Sequence, residues 1–166
     1  MIKKTISVFT IFVMILSISI TAFAASPKYK SKKAYVQLLE EYDVEYTYQK
    51  GELNDEIINF VTDEGEYRKT IDIDAQFVNT EDEMTLYSFG VIEFVPRDYA
   101  DVLDAVNMLN GTTNYGCFYI AGNSVNASWD VILGNTDAKN IAEIALGAFF
   151  DTVDGAYNEL SKFEKK

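Results

Sequence analysis

The chain of 166 residues carries 26 acidic and 14 basic side chains, for a formal net charge of −12, and it contains no histidine. This acidic balance excludes a nucleic-acid-binding surface, because phosphate contacts need clustered lysine and arginine. The absence of histidine excludes Ser-His-Asp and Cys-His nucleophiles and every histidine-containing metal site. The single cysteine, Cys117, excludes an internal disulfide and a thiolate zinc site, and we expect it to be a buried thiol.

Residues 1–24 have the pattern of a secretory signal peptide. A short basic head precedes an apolar run over residues 6–20, and the small residues of Ala22-Phe23-Ala24 suit a signal peptidase. The run is shorter than the roughly 20 residues that a spanning helix needs, and no cysteine for lipid attachment follows it. We therefore predict cleavage after Ala24 or Ala25, a secreted or extracytoplasmic domain over residues 25–166, and membrane contact only before cleavage.

Four lysines stand close together just after the predicted cleavage point, at Lys28, Lys30, Lys32 and Lys33. Such a cluster suits contact with an anionic envelope polymer or with lipid head groups. It is also typical of a solvated segment that leads into a helix, and this is the interpretation we favour.

The first half of the domain is predicted to hold a helix and three strands. Apolar residues at helical spacing after Ser31 predict an amphipathic helix. Strands are predicted next over residues 57–61, 67–77 and 84–95, and the second alternates polar and apolar residues as a strand with one solvated face does. Pro96 ends the third strand.

The second half is predicted to hold a helix, a hairpin and a last helix. A stripe of period 3.6 follows Pro96 and ends at Asn110-Gly111. Two β-rich runs, residues 117–120 and 125–133, are joined by Gly122-Asn123, and the last helix begins after Asn135-Thr136-Asp137. The order α-β-β-β-α-β-β-α predicts an α+β fold, an antiparallel sheet with helices packed on it.

Several short motifs carry a resemblance to a known family. They are Ile92-Glu93-Phe94-Val95-Pro96, Val106-Asn107-Met108-Leu109-Asn110, Gly116-Cys117-Phe118-Tyr119-Ile120 and the helix that opens at Asn135. In this order of elements the chain resembles the YbjN-type family over residues 31–163, and residues 25–166 would then form a single YbjN-like domain. The resemblance implies the fold of the type III secretion chaperones, which bind extended protein segments and often dimerise. The family is described loosely as sensory-transduction regulators, and it supplies no catalytic residue to carry over.

The third predicted strand is apolar on both of its faces. Alternation gives the two faces Leu86, Ile92 and Phe94, and Tyr87, Phe89 and Val91. The second apolar face needs a cover, which a helix, a loop, a second copy or a partner protein would supply. Tyr87, Phe89 and Val91, together with Tyr119 on the next hairpin, are therefore the candidate partner-binding residues.

Carboxylates are the remaining candidates for catalysis. Asp72 and Asp74 share one strand face, but the sequence around them has neither the paired carboxylates of a glycosidase cleft nor the ligand spacing of a calcium loop. We predict no catalytic residue, no metal site and no cofactor.

The sequence thus predicts an exported, non-enzymatic binding module that engages a protein partner, or a second copy as a homodimer, through its sheet. A small-molecule-sensing domain and a structural envelope domain remain as alternatives. A hydrolase that uses Asp72 and Asp74 is a third.

Overall fold

The computed structural model describes residues 30–50, 55–62, 65–77, 83–134 and 137–165. The predicted signal peptide, its cleavage point and the start of the domain at residue 25 lie outside these ranges. The helices are α1 (Lys30–Glu41), α2 (Tyr99–Thr112) and α3 (Ala138–Leu160), and the strands are β1 (Thr47–Lys50), β2 (Glu56–Thr62), β3 (Ile71–Phe77), β4 (Glu83–Glu93), β5 (Cys117–Ala121) and β6 (Ser124–Ile132).

The strands form one antiparallel sheet in the order β1-β2-β3-β4-β6-β5. The predicted α+β class, with helices packed on an antiparallel sheet, is confirmed. The predicted order is one strand short, because β1 precedes the three strands expected between the first two helices. β1 was missed because it is short and polar, and only Tyr48 among its four residues is partly shielded from solvent.

The hydrophobic core lies on one face of the sheet. Inward residues of β3 such as Ile73 and Phe77 pack with Tyr35 of α1, Val102 of α2 and Phe149 of α3 in a single buried cluster. The rings of Tyr35 and Phe77 lie 5.6 Å apart. None of the helices in the described ranges combines the length and apolar character that crossing a bilayer requires.

The connection from β2 to β3 is fastened to the last helix by a buried carboxylate. Asp154 of α3 accepts hydrogen bonds from the backbone N–H groups of Glu66 and Arg68, each at 2.8 Å, and from that of Tyr67 at 3.2 Å. These amides therefore cannot enter a strand ladder. The strand predicted from residue 67 begins only at Ile71 for this reason.

The lysine cluster before α1 is not wholly solvated. Lys32 is only 3% exposed, and its Nζ lies 2.9 Å from Glu56 Oε2 on β2. The same ammonium sits 3.9 Å from the centre of the Tyr48 ring. Lys32 is thus a structural contact between α1 and the β1–β2 edge, and the interpretation of this lysine as part of a solvated leader is wrong.

Candidate functional site

The sheet has a second face, which points away from the core. Cross-strand pairing aligns one row of side chains over all six strands, namely Thr47, Asn59, Asp74, Tyr87, Ser128 and Cys117. The buried apolar residues of the described helices all lie in the core on the opposite side. We call the surface formed by this row and its same-facing neighbours the open face.

An aromatic pair stands on the open face. The rings of Tyr87 and Phe89 are stacked with centroids 5.5 Å apart and an interplanar angle of 7°. Phe89 is 54% exposed, although exposure of so large an apolar ring to water is unfavourable. Tyr119 of β5 lies two residues from Cys117 and faces the same way. Burial raises the pKa of its phenol, and the neighbouring Tyr87 and Cys117 raise that pKa further. Tyr87, Phe89 and Tyr119 form what we call the aromatic patch.

A bulge in β4 fixes the position of Phe89. Ser88 pairs with Ala127 and Ile92 pairs with Val125. Three residues of β4 between these pairs therefore lie opposite a single residue of β6, Asn126. Gly90 takes φ +66° inside the bulge, a backbone angle that other residues adopt at a cost. The side chain of Asn126 supports the distortion, because its Oδ1 accepts a hydrogen bond from the Gly90 N–H at 2.8 Å.

The bulge also removes Val91 from the candidate site. Simple alternation assigns Val91 to the same face as Tyr87 and Phe89, but the structure buries it completely within the core cluster. The extra residues of the bulge change the alternation between Ser88 and Ile92. Of the predicted residues, the structure therefore brings together Tyr87, Phe89 and Tyr119, and Val91 is a core residue.

Cys117 lies on the open face as well. The thiol is exposed, which contradicts the expectation of a buried cysteine. The reason is its position opposite Ser128, which makes the next residue, Phe118, the inward one.

The predicted carboxylate pair lies on the same face, beside the aromatic patch. Asn59 donates hydrogen bonds from Nδ2 to Asp72 Oδ1 and, at 2.9 Å, to Asp74 Oδ1. Burial raises the pKa of Asp74; the bond from Asn59 opposes this rise, and the charge of Asp72 adds to it. The two carboxylates sit on an open sheet and share one amide, a geometry unlike the cleft that a carboxylate-dependent hydrolase needs.

A groove of about 610 Å³ is a concave feature of the described residues. It lies between the end of α1, the end of β2 and the middle of α3. Its apolar walls include Leu38, Phe60 and Phe150, and Glu45 and Glu143 add acidic groups. Sequence reasoning missed it; Leu146 and Phe150, which widen the apolar stripe of α3 beyond one face, were the available signal.

Within the described ranges no three histidine, cysteine, aspartate or glutamate residues are grouped so that they could hold a metal ion. The open face and the groove offer aromatic, apolar and carboxylate groups as possible contacts.

Comparison with known proteins places the fold. No protein-family model and no curated protein matches the chain by sequence. Among solved structures, the chain is similar to YbjN from E. coli, with a TM-score of 0.53 over 79% of this chain and 91% of that one. The chain has the YbjN fold. YbjN is described as "a putative transcription regulator". Its sequence is 8% identical to that of this chain, so the likeness to YbjN concerns the fold alone.

Proposed function

We propose that this chain is an exported, non-enzymatic binding module that engages a protein partner through its open face. The observation that carries the proposal is the aromatic patch, in which an exposed Phe89 is held stacked on Tyr87 by a bulge. Exposed aromatic rings that are rigid before binding are typical anchors of protein interfaces, because little side-chain entropy is lost when they are covered.

The arrangement of helices supports the same proposal. α1, α2 and α3 all pack on the core side, so a partner would reach the open face without moving a helix. The similarity to YbjN adds weak support, since that protein is described as a regulator and not as an enzyme.

The test is affinity capture followed by titration. The baits are the domain from Ala25 and its variant Tyr87→Ala/Phe89→Ala. Proteins that the wild-type bait retains from the envelope and medium of the producing cell are purified. Each purified protein is then titrated against the wild type and the variant. A matched control is Met108→Ala/Ile144→Ala, which removes two exposed apolar side chains, 55% and 63% exposed, from helices. We expect the partner to bind the wild type and the control, and to lose at least about 2 kcal/mol of affinity for the patch variant.

Equal affinity of the purified partner for the patch variant and the wild type would refute a role for the patch. Circular dichroism of each variant shows whether it is folded, which separates lost binding from lost structure.

Export is part of the proposal and has its own test. The support is the sequence of residues 1–24, with its basic head, apolar run and Ala22-Phe23-Ala24 triplet. Mass spectrometry of the chain from the producing cell should find an N-terminus at Ala25 or Ser26 outside the cytoplasm. A chain that keeps Met1 would contradict it.

The groove favours a second candidate function, the sensing of a small molecule. Its volume of about 610 Å³ lies in the range of small-ligand sites, and its apolar walls suit an apolar compound. Gly147 lines the groove, and a side chain at this position would meet no atom within 4 Å. Gly147→Leu should therefore fill the groove without strain.

Gly155→Leu is the control for this second candidate, because Gly155 lies in the same helix with similar free space and does not line the groove. A ligand that raises the melting temperature of the wild type and of Gly155→Leu, and leaves Gly147→Leu unchanged, would establish the groove as its site. A ligand library that shifts all three proteins equally, or none, would contradict the sensing function.

A further inference from the structure

We infer that the partner segment held by the open face is cationic, an extended stretch of chain in which arginine or lysine side chains alternate with apolar ones. The inference rests on the proposed function and adds the chemistry of the partner to it.

The charge of the open face has one sign. By cross-strand pairing, the charged side chains on this face are Asp72, Asp74, Glu83, Glu93 and Asp130. No lysine or arginine occupies a strand position that faces this way in the described ranges. A surface of carboxylates around apolar rings attracts a partner of opposite charge and repels one of like charge.

Several basic side chains are engaged elsewhere. Lys32 is buried against Glu56 on the core side, Lys139 pairs with Glu41 between α3 and α1, and Arg68 lies 5.5 Å from the Tyr157 ring. Lys50 pairs with Glu56 across the sheet and so belongs to the other face. Among the described residues, Asp72, Asp74, Glu93 and Asp130 form no ion pair with a lysine or arginine.

The aromatic patch suits the same partner. The faces of Tyr and Phe rings attract ammonium and guanidinium groups, and the planar guanidinium also stacks on them. Asp74 and Tyr87 are direct neighbours across β3 and β4, so one arginine side chain that lies over the Tyr87 ring can also reach a carboxylate. A strand-like partner presents alternate side chains to a sheet, which matches the mixture of rings and carboxylates in these rows.

A second copy of this chain fits the open face less well. A twofold contact between two open faces would bring like-charged carboxylates together around the rings, and no lysine or arginine would lie between them. Such an arrangement costs free energy for each close pair of like charges.

The test uses a fluorescent ten-residue peptide of alternating arginine and valine, and the same peptide with neutral citrulline at every arginine position. Binding is measured by anisotropy to the wild type, to Asp72→Asn/Asp130→Asn on the open face, and to Asp101→Asn/Asp104→Asn on the exposed side of α2. The two double variants lose the same charge, so they separate a local effect from the overall charge of −12. We expect the wild type and the α2 variant to bind the arginine peptide at least about tenfold more tightly than they bind the citrulline peptide. We expect the open-face variant to bind the arginine peptide at least about tenfold more weakly than the wild type does.

Equal binding of the two peptides, or equal loss in both double variants, would overturn the inference. A captured partner that needs Tyr87 and Phe89 but has no basic segment would overturn it too, while the proposed function would stand. A dimer that Tyr87→Ala/Phe89→Ala dissociates, seen by sedimentation, would replace the cationic partner with a second copy. If the patch variant keeps full affinity for every partner, the proposed function itself fails.

Discussion

The side chain of Asp154 joins two parts of the chain that are distant in sequence. Its carboxylate is 5% exposed and accepts the backbone N–H groups of Glu66, Tyr67 and Arg68. Gly65 leads into this turn, where a Cβ atom would lie 2.1 Å from the Arg68 carbonyl oxygen and 2.7 Å from Asp154 Oδ1. The turn therefore needs both a glycine and a carboxylate.

We predict that Asp154→Asn lowers the free energy of unfolding by about 2 kcal/mol or more, because an amide group would face backbone donors that need acceptors. Urea unfolding measures the change. The control is Asp151→Asn, one turn away on the exposed side of α3, which should change stability by less than about 0.5 kcal/mol. Equal stability of the two variants would show that the carboxylate does not fasten the turn.

Asp74 gives a pH-dependent prediction. Its pKa in the folded chain is raised above the ordinary value by burial and by Asp72. A raised pKa means that the protonated side chain favours folding, and that this contribution is lost as the pH rises through the raised value. Asp74→Asn keeps an acceptor for Asn59 and cannot ionise, so it should be slightly more stable than the wild type near neutral pH.

The gain is expected to stay below about 1 kcal/mol, since solvent screens a half-exposed carboxylate, and to shrink as the pH is lowered towards about 4. Urea unfolding at several pH values measures it, with Asp104→Asn on α2 as the control. A gain that grows with falling pH would contradict the assigned direction.

At the scale of elements, the free edge of β5 is covered by a side chain. Asn110, near the end of α2, donates from Nδ2 to the Phe118 carbonyl oxygen at 2.8 Å and accepts from the Phe118 N–H at 2.7 Å. It takes the place of one residue of a neighbouring strand. Such protection matters because an uncovered edge is a template for unwanted strand pairing.

Asn110→Ala should therefore lower the free energy of unfolding by about 1 to 2 kcal/mol and speed hydrogen exchange of the Phe118 amide. Asn107→Ala, an exposed position one turn earlier in α2, is the control and should leave that amide unchanged. Equal exchange rates for Phe118 in both variants would show that Asn110 does not protect the edge.

Most elements were predictable from periodicity, and the late start of β3 has a long-range cause. The stripe after Pro96 and the hairpin at Gly122-Asn123 depend on neighbours in the sequence, and the structure has both. The boundary of β3 depends on Asp154, which is 86 residues from Arg68. No short-range pattern in residues 65–70 contains that contact, so the strand was predicted to begin too early.

The candidate site was predictable in part for the same reason. Tyr87 and Phe89 were found because buried and exposed residues alternate in β4 from Glu83 as far as Phe89. Val91 was assigned wrongly because Gly90, a glycine within a strand, lies in a bulge of two extra residues, so that alternation fails at Val91 and resumes at Ile92. Leu146 and Phe150 were the signal for the groove in the sequence, but its walls come from three elements whose packing the sequence does not state.

At the scale of the whole molecule, all described helices crowd onto one face of the sheet and the other face keeps an aromatic patch among carboxylates. The single cysteine of the chain lies in the same cross-strand row as Tyr87, with Ser128 between them. Cys117 is exposed, so its thiol reports directly on whether the open face is covered.

The most direct test of the central claim is the rate of Cys117 alkylation with and without the purified partner, followed by mass spectrometry. The account predicts that the partner slows alkylation several-fold in the wild type and in Met108→Ala/Ile144→Ala, and that this protection is lost in Tyr87→Ala/Phe89→Ala. A partner that binds the wild type and still leaves the Cys117 thiol fully reactive would contradict the claim that the open face is the binding surface.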